Sequence, residues 1–260
     1  MARKSMFKES GNPFMSEEKF RNEAQSNVTV LDGDMARKGP IDRGETMTVS
    51  GAVNKSFLLI ALLLGGSVIG WMFPSSILVW GSMFAALGLV IFASFKPHLS
   101  PTIAPIHAIV EGVFVGGISF MYAAAYNGII FKAASLTVAL LFLMLFLYKS
   151  GIVKVTKSFR TGVIMATGAI MLVYLASWIL SIFGIRIPYL FDGGLFSIGI
   201  SFVIVGVATL NLLLDFDNFD KGEQYGAPKY MEWFSAMGLL VTLVWLYVEL
   251  LRLLSYLSND

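Results

Sequence analysis

The sequence predicts an all-α integral membrane protein, a bundle of seven transmembrane helices. Three observations carry that expectation. Hydrophobic residues fill 56% of the 260 positions and charged residues only 14%, against about a quarter in an ordinary soluble domain. Seventeen of the charged residues fall in the first 55 positions, so the rest of the chain is more apolar than its average. Within that remainder, apolar runs close to the ~20 residues needed to cross ~30 Å of hydrocarbon recur seven times.

The elements follow in order. Residues 1–53 are polar, with eight acids and eight bases. No apolar run there leads to a small-residue cleavage site, so the segment does not read as a signal peptide. It reads as a flexible cytosolic tail, with scope for a short amphipathic helix near 17–24. Residues 54–260 form the membrane domain, with spans expected at 56–73, 77–95, 104–126, 133–148, 162–184, 195–214 and 231–254. Pro74, Lys96 with Pro97, Asn127-Gly128, Lys149-Ser150-Gly151, Arg186 with Pro188, and the stretch from Asp215 to Pro228 separate them. Only Pro74 to Ser76 joins the first two spans, so they form an antiparallel hairpin. Gly66 and Gly70, Gly112 and Gly116, and Ser197, Gly199, Ser201 and Gly206 recur at spacings that let helix backbones approach closely.

Lysine and arginine in the loops set the direction of threading. With the N-terminus in the cytosol, 16 of the 19 bases lie on the cytosolic side, leaving Lys132, Arg186 and Arg252 outside. The basic residues occupy a mixed-charge tail and membrane loops rather than a stripe, which argues against nucleic acid as a partner. The bilayer is the partner the composition demands.

Several chemistries drop out at once. There is no cysteine and there are only two histidines, which removes thiolate sites, thiol nucleophiles and His-rich metal centres. No His-Glu-x-x-His pattern is present, and His107 is the one histidine inside a span. The last span has no lysine for a retinal Schiff base. The chain is therefore not expected to be an enzyme or to hold a resident cofactor. A secondary transporter would show inverted repeats, and spans one to three show no convincing echo in spans four to six.

What remains is a set of carboxylates at the edge of hydrocarbon, where such groups are costly and usually functional. The run 195–214 drops directly into Asp215, Asp217 and Asp220. Glu111 falls five to seven residues inside the third span, about 7–10 Å deep at 1.5 Å per residue. His107 is one turn before it on the same face. Glu232 opens the seventh span, and Asn211 lies one turn before Asp215. The expected topology puts Glu111, Asp215, Asp217 and Glu232 in one layer near the cytosolic face. Such a layer suits a hard cation such as Ca²⁺, with Asp215 as the foremost ligand, or a shared-proton switch supported by Asn211 and His107. Glu249 and Arg252, three apart near the far end of the last span, are expected to pair with each other.

The stretch Pro105-Ile106-His107-Ala108-Ile109-Val110-Glu111-Gly112 resembles the proline–glutamate–glycine signature of the bacterial branch of the Bax inhibitor-1 family (YccA-like, transmembrane Bax-inhibitor-motif). So do 47–55 ahead of the first span, Leu213-Leu214-Asp215-Phe216-Asp217, and Gly226-Ala227-Pro228 leading to Glu232-Trp233. The resemblance implies a seven-helix bundle with the last helix central, in a bacterial cytoplasmic membrane. It implies a pH-sensitive cation leak, mainly for Ca²⁺, gated by two aspartates. Asp215 matches the first of these. The second belongs mid-way along the seventh helix, where residues 242–247 contain no acid; Asp217, Glu232 or Glu111 would have to stand in. The family also implies an alternative, a regulator acting on a membrane-bound quality-control protease, for which the 53-residue tail is the natural contact.

Overall fold

The computed structural model describes residues 46–184 and 193–258. The segment before residue 46, including the short helix expected near 17–24, and the turn at Arg186 and Pro188 lie outside the described residues. Among those described, seven helices are long and apolar enough to cross a membrane. They are α1 (Val49–Met72), α2 (Ser76–Phe95), α3 (Ser100–Ala125), α4 (Ile129–Lys149), α5 (Lys157–Ile182), α6 (Leu195–Gln224) and α7 (Met231–Leu257), with a 3₁₀ turn at Pro97–Leu99.

Local chemistry sets most of the boundaries. The Thr48 hydroxyl accepts from Gly51 N at 3.0 Å and caps α1. Ser75 and Thr156 do the same for α2 and α5, accepting from Leu78 N and Phe159 N. Each cap satisfies one of the N–H groups that a helix start leaves open. Pro97 opens the 3₁₀ turn, where its missing N–H costs nothing. Gly128 takes the left-handed φ of 70° that turns α3 into α4.

Tight glycine packing joins α1 to α3. A Cβ on Gly66 or Gly70 would overlap the Ile109 or Val113 carbonyl, and one on Gly112 or Gly116 would overlap the Leu63 or Ser67 carbonyl. The two expected glycine pairs thus face each other across one interface. Gly199 and Gly206 have open space where a side chain would go, so these two glycines make no such contact, whereas Ser197 and Ser201 are buried.

Helix α7 is central, as the resemblance implies. It packs on α1, α3, α4 and α6, and 67% of its most apolar 18-residue stretch is buried, against 11% for α4. Helices α1, α3, α5 and α7 begin at one face of the bundle, here called the N-terminal face, and α2, α4 and α6 end there.

Several expected span ends shift; α3 starts at Ser100 and α5 at Lys157, ahead of 104 and 162. The sixth span does not stop at Leu214: α6 continues to Gln224, so Asp215, Asp217 and Asp220 lie on a helix and not in a loop. The first helix starts at Val49, ahead of the expected domain start at residue 54. Residues 46–48, expected at the end of a tail, are docked. Met47 N donates to Ala227 O at 2.7 Å, the Met47 side chain is buried, and Thr46 bridges Pro228.

Candidate functional site

With α6 extended, Asp215 sits about 13 Å from that helix's end and Asp217 about 10 Å. Glu111 sits about 16 Å along α3, which starts earlier than expected. Glu232 is the second residue of α7, at the rim. The expected single layer is therefore two tiers. The upper carboxylates lie well inside the bundle, and Glu232 closes its edge.

The four carboxylates also have separate partners. Glu232 accepts from Thr48 N at 2.9 Å and from the Thr48 hydroxyl at 3.1 Å, and it pairs with Lys55 Nζ. Lys55 lies over the Trp233 ring at 5.4 Å. Gly51 is packed so closely that a Cβ would overlap the Glu232 carboxylate. This cluster clamps the start of α1 to the start of α7, which explains why the motif 47–55 and Glu232-Trp233 belong together.

Asp217 pairs with the Arg160 guanidinium from α5 and with Lys221 Nζ at 3.0 Å. Arg160 Nη1 donates to Asn218 Oδ1 at 3.0 Å. Asp220 accepts from the Tyr148 hydroxyl of α4 at 2.6 Å. Helix α6 carries polar groups toward both α4 and α5 because its acids recur through several turns past residue 214.

Glu111 and His107 are both buried on α3. His107 Nδ1 lies 3.5 Å from Glu111 Oε2, and neither atom has a hydrogen bond among the described residues.

Asp215 is the most isolated of the four. Its side chain is buried, and Oδ2 has no hydrogen-bond partner among the described residues. The Thr242 hydroxyl of α7 and the Arg160 guanidinium of α5 lie close enough to act on its carboxyl. That hydroxyl also donates to Gly238 O at 3.2 Å. A hydroxyl has one proton, so it serves Gly238 or Asp215, never both. A protonated Asp215 can instead donate to Thr242, whereas an ionised Asp215 needs a proton donor or a cation. Asn211, one turn away, donates to the Thr167 hydroxyl of α5 at 2.8 Å and to Val207 O at 2.9 Å.

Of the residues named as stand-ins, Glu232 is engaged by Thr48 and Lys55 and Asp217 by Arg160 and Lys221; the α7 side chain acting on Asp215 is Thr242. Among the described residues no group of three or more His, Asp or Glu could hold a metal ion. The geometry offers one carboxylate, a hydroxyl and a nearby arginine.

At the opposite face, Glu249 and Arg252 pair at 2.5 Å, as their spacing predicts. The Tyr174 hydroxyl of α5 donates to Glu249 at 2.6 Å and accepts from Arg252 at 2.5 Å, and Trp245 adds a 3.3 Å bond to Glu249.

Sequence reasoning missed Arg160, Tyr174 and Thr242. Arg160 stands two residues before the expected fifth span and counted only as a loop base. A lone arginine at the lip of an apolar run was the signal available. Thr242 lies in the 242–247 stretch where the resemblance places a second aspartate, which is its one signal; Tyr174 carries none, since a tyrosine is not unusual inside a membrane helix.

A family model described as Bax inhibitor 1 like matches residues 12–259. No curated protein and no solved structure matches the chain.

Proposed function

Starting from a chain that belongs to the Bax inhibitor 1 like family, we propose that it is a pH-sensitive cation leak in a bacterial cytoplasmic membrane, with its N-terminus in the cytosol. The bias of lysine and arginine supports the orientation. Calcium is the cation the family resemblance favours. The observation that carries the reading is Asp215, a buried carboxylate on α6 with a free oxygen, facing Thr242 on the central helix.

The mechanism follows from proton counting. A protonated Asp215 is neutral and can close onto the Thr242 oxygen, tying α6 to α7. An ionised Asp215 inside the bundle demands compensation. Thr242 can turn from Gly238, Arg160 can lean in, or a cation can arrive. Each response changes how α6 sits against α7 or α5. With a single carboxylate the ion's stay is brief, which suits a leak better than a store. Glu111 and His107 form a second proton-exchanging pair on α3, while Glu232 and Asp217 hold helices together. The role is non-enzymatic and needs no resident cofactor.

The test is Ca²⁺ entry into liposomes that hold the protein and an internal dye, between pH 5 and 8. Flux that Asp215→Asn alters supports the reading; absence of flux at every pH overturns it. The family's alternative, modulation of a membrane protease, has its own signature. Deleting residues 2–45 would abolish the effect on the protease and leave flux unchanged.

A further inference from the structure

A cavity of about 420 Å³ lies between α1, α3, α4 and α7, a size within the ~300–1,000 Å³ of small-molecule sites. It exists because α1 and α4 both pack on α7 yet scarcely meet each other. Its floor is the close α1–α3 seam at Gly116, and its back wall is the central helix at Leu243, Val244 and Tyr247.

The lining is apolar, and its few hydroxyls are already used. Ser67 donates to Leu64 O at 2.7 Å and Thr137 to Ala133 O at 2.8 Å. Ser119 donates to Val115 O at 2.6 Å, so the 2.7 Å contact with Tyr247 must take its proton from the tyrosine. No lining hydroxyl keeps a free proton to donate to an anionic or carbonyl group, and burying an unpaired polar group there would cost. The lips are continuous with the lipid-facing surface of the bundle: Leu64, Val68 and Trp71 on α1 and Val138 on α4 are exposed apolar side chains in helices that would face hydrocarbon.

We propose that this crevice binds a phospholipid acyl chain, which enters sideways from the bilayer between α1 and α4 and lies against the central helix. The occupant is a hydrocarbon tail and not a head group, because the walls are almost wholly apolar and carry no charged side chain. The chain bound there touches the same helix that carries Thr242. The inference does not depend on whether the protein conducts ions.

The test uses the full chain in vesicles of phosphatidylcholine containing a phospholipid with a photoactivatable diazirine in its acyl chain, followed by peptide mapping. Leu243 and Val244 are buried beneath the bundle surface, so bulk lipid does not reach them except through the crevice. Labelling of these two residues is expected, and Ala134→Trp at the mouth should lower it at least about fivefold. Labelling of the lipid-facing Phe142 and Leu172 should not change. Val138→Trp serves as a second block should Ala134→Trp fail to fold. Label confined to the exposed faces, or label on Leu243 and Val244 that a folded blocking variant leaves intact, overturns the proposal. The chain has no cysteine, so Val138→Cys supplies a single thiol. Disulfide-linked dimers through it would show a second copy in the crevice and overturn the proposal too.

Discussion

Helices α1 and α3 are joined by what is missing from their side chains, whereas α5 is joined by charge. Four glycines bring the α1 and α3 backbones into direct contact. Helix α5 buries only Arg160, Val163, Ile164 and Ser177. Polar contacts hold it instead: Arg160 to Asp217 and Asn218 near its start, Thr167 to Asn211 further along, and Tyr174 to Glu249 and Arg252 near the far face. Lipid tails are as apolar as leucine, so no hydrophobic effect drives helices together in a bilayer. Close packing and polar pairing are the remaining means. Close packing is indifferent to pH and ions. Polar pairing is not, which makes α5 and the α6 face it touches the part of the bundle able to respond.

That contrast can be broken from the charged side first. Arg160→Ala removes one partner from each of Asp217 and Asn218. Removing one member of a buried pair costs about 3–5 kcal/mol, and Lys221 remains on Asp217, so the loss should fall near the lower end. Denaturant-induced unfolding in mixed micelles measures it. Proteolysis within 150–156, the loop before α5, should speed up as that helix detaches.

The packed side should yield to bulk alone. Gly116→Leu drives a side chain into the Ser67 carbonyl, and overpacking costs typically about 1–3 kcal/mol. Gly206→Leu, where a side chain meets open space, should stay within about 0.5 kcal/mol of the parent. The same unfolding assay compares the two, and equal losses would erase the distinction between the α1–α3 seam and the open glycines of α6.

A smaller loss is expected from Tyr174→Phe, which deletes one hydroxyl linking α5 to Glu249 and Arg252. Hydrogen bonds between membrane helices are worth about 0.6 kcal/mol on average and up to ~1.7. The effect should read as local, with faster hydrogen exchange at the far end of α5 and little change in α1 or α3. Thr242→Asp should move stability least and function most. It sets a second carboxylate facing Asp215, so two like charges share the site and cation flux should depend more steeply on pH.

The same contrast marks what could be read from the sequence. The apolar runs and the glycine spacings of α1 and α3 are local patterns: the runs point to the right helices, and the spacings allow close approach without naming which helices meet. The end of α6 was not legible, because acids lower hydropathy wherever their partners are. Asp217 and Asp220 are tolerated on a helix because Arg160 and Tyr148 meet them there, 57 and 72 residues earlier in the chain. Glu232 looked like a site residue for the same reason. Its partners, Thr48 and Lys55, lie 184 and 177 residues away, and only the fold reveals that its charge is already spoken for. Asp215 differs in that its Oδ2 has no hydrogen-bond partner among the described residues.

In the proposed mechanism Asp215 is the group that responds and Asp217 one that only anchors. The direct measurement is cation flux into liposomes at a series of pH values from 5 to 8 for the parent, Asp215→Asn and Asp217→Asn. The parent's flux should change with pH, the Asp215→Asn profile should be flat, and Asp217→Asn should keep the parent's shape at a different amplitude. A pH profile that survives in Asp215→Asn and vanishes in Asp217→Asn would contradict the assignment.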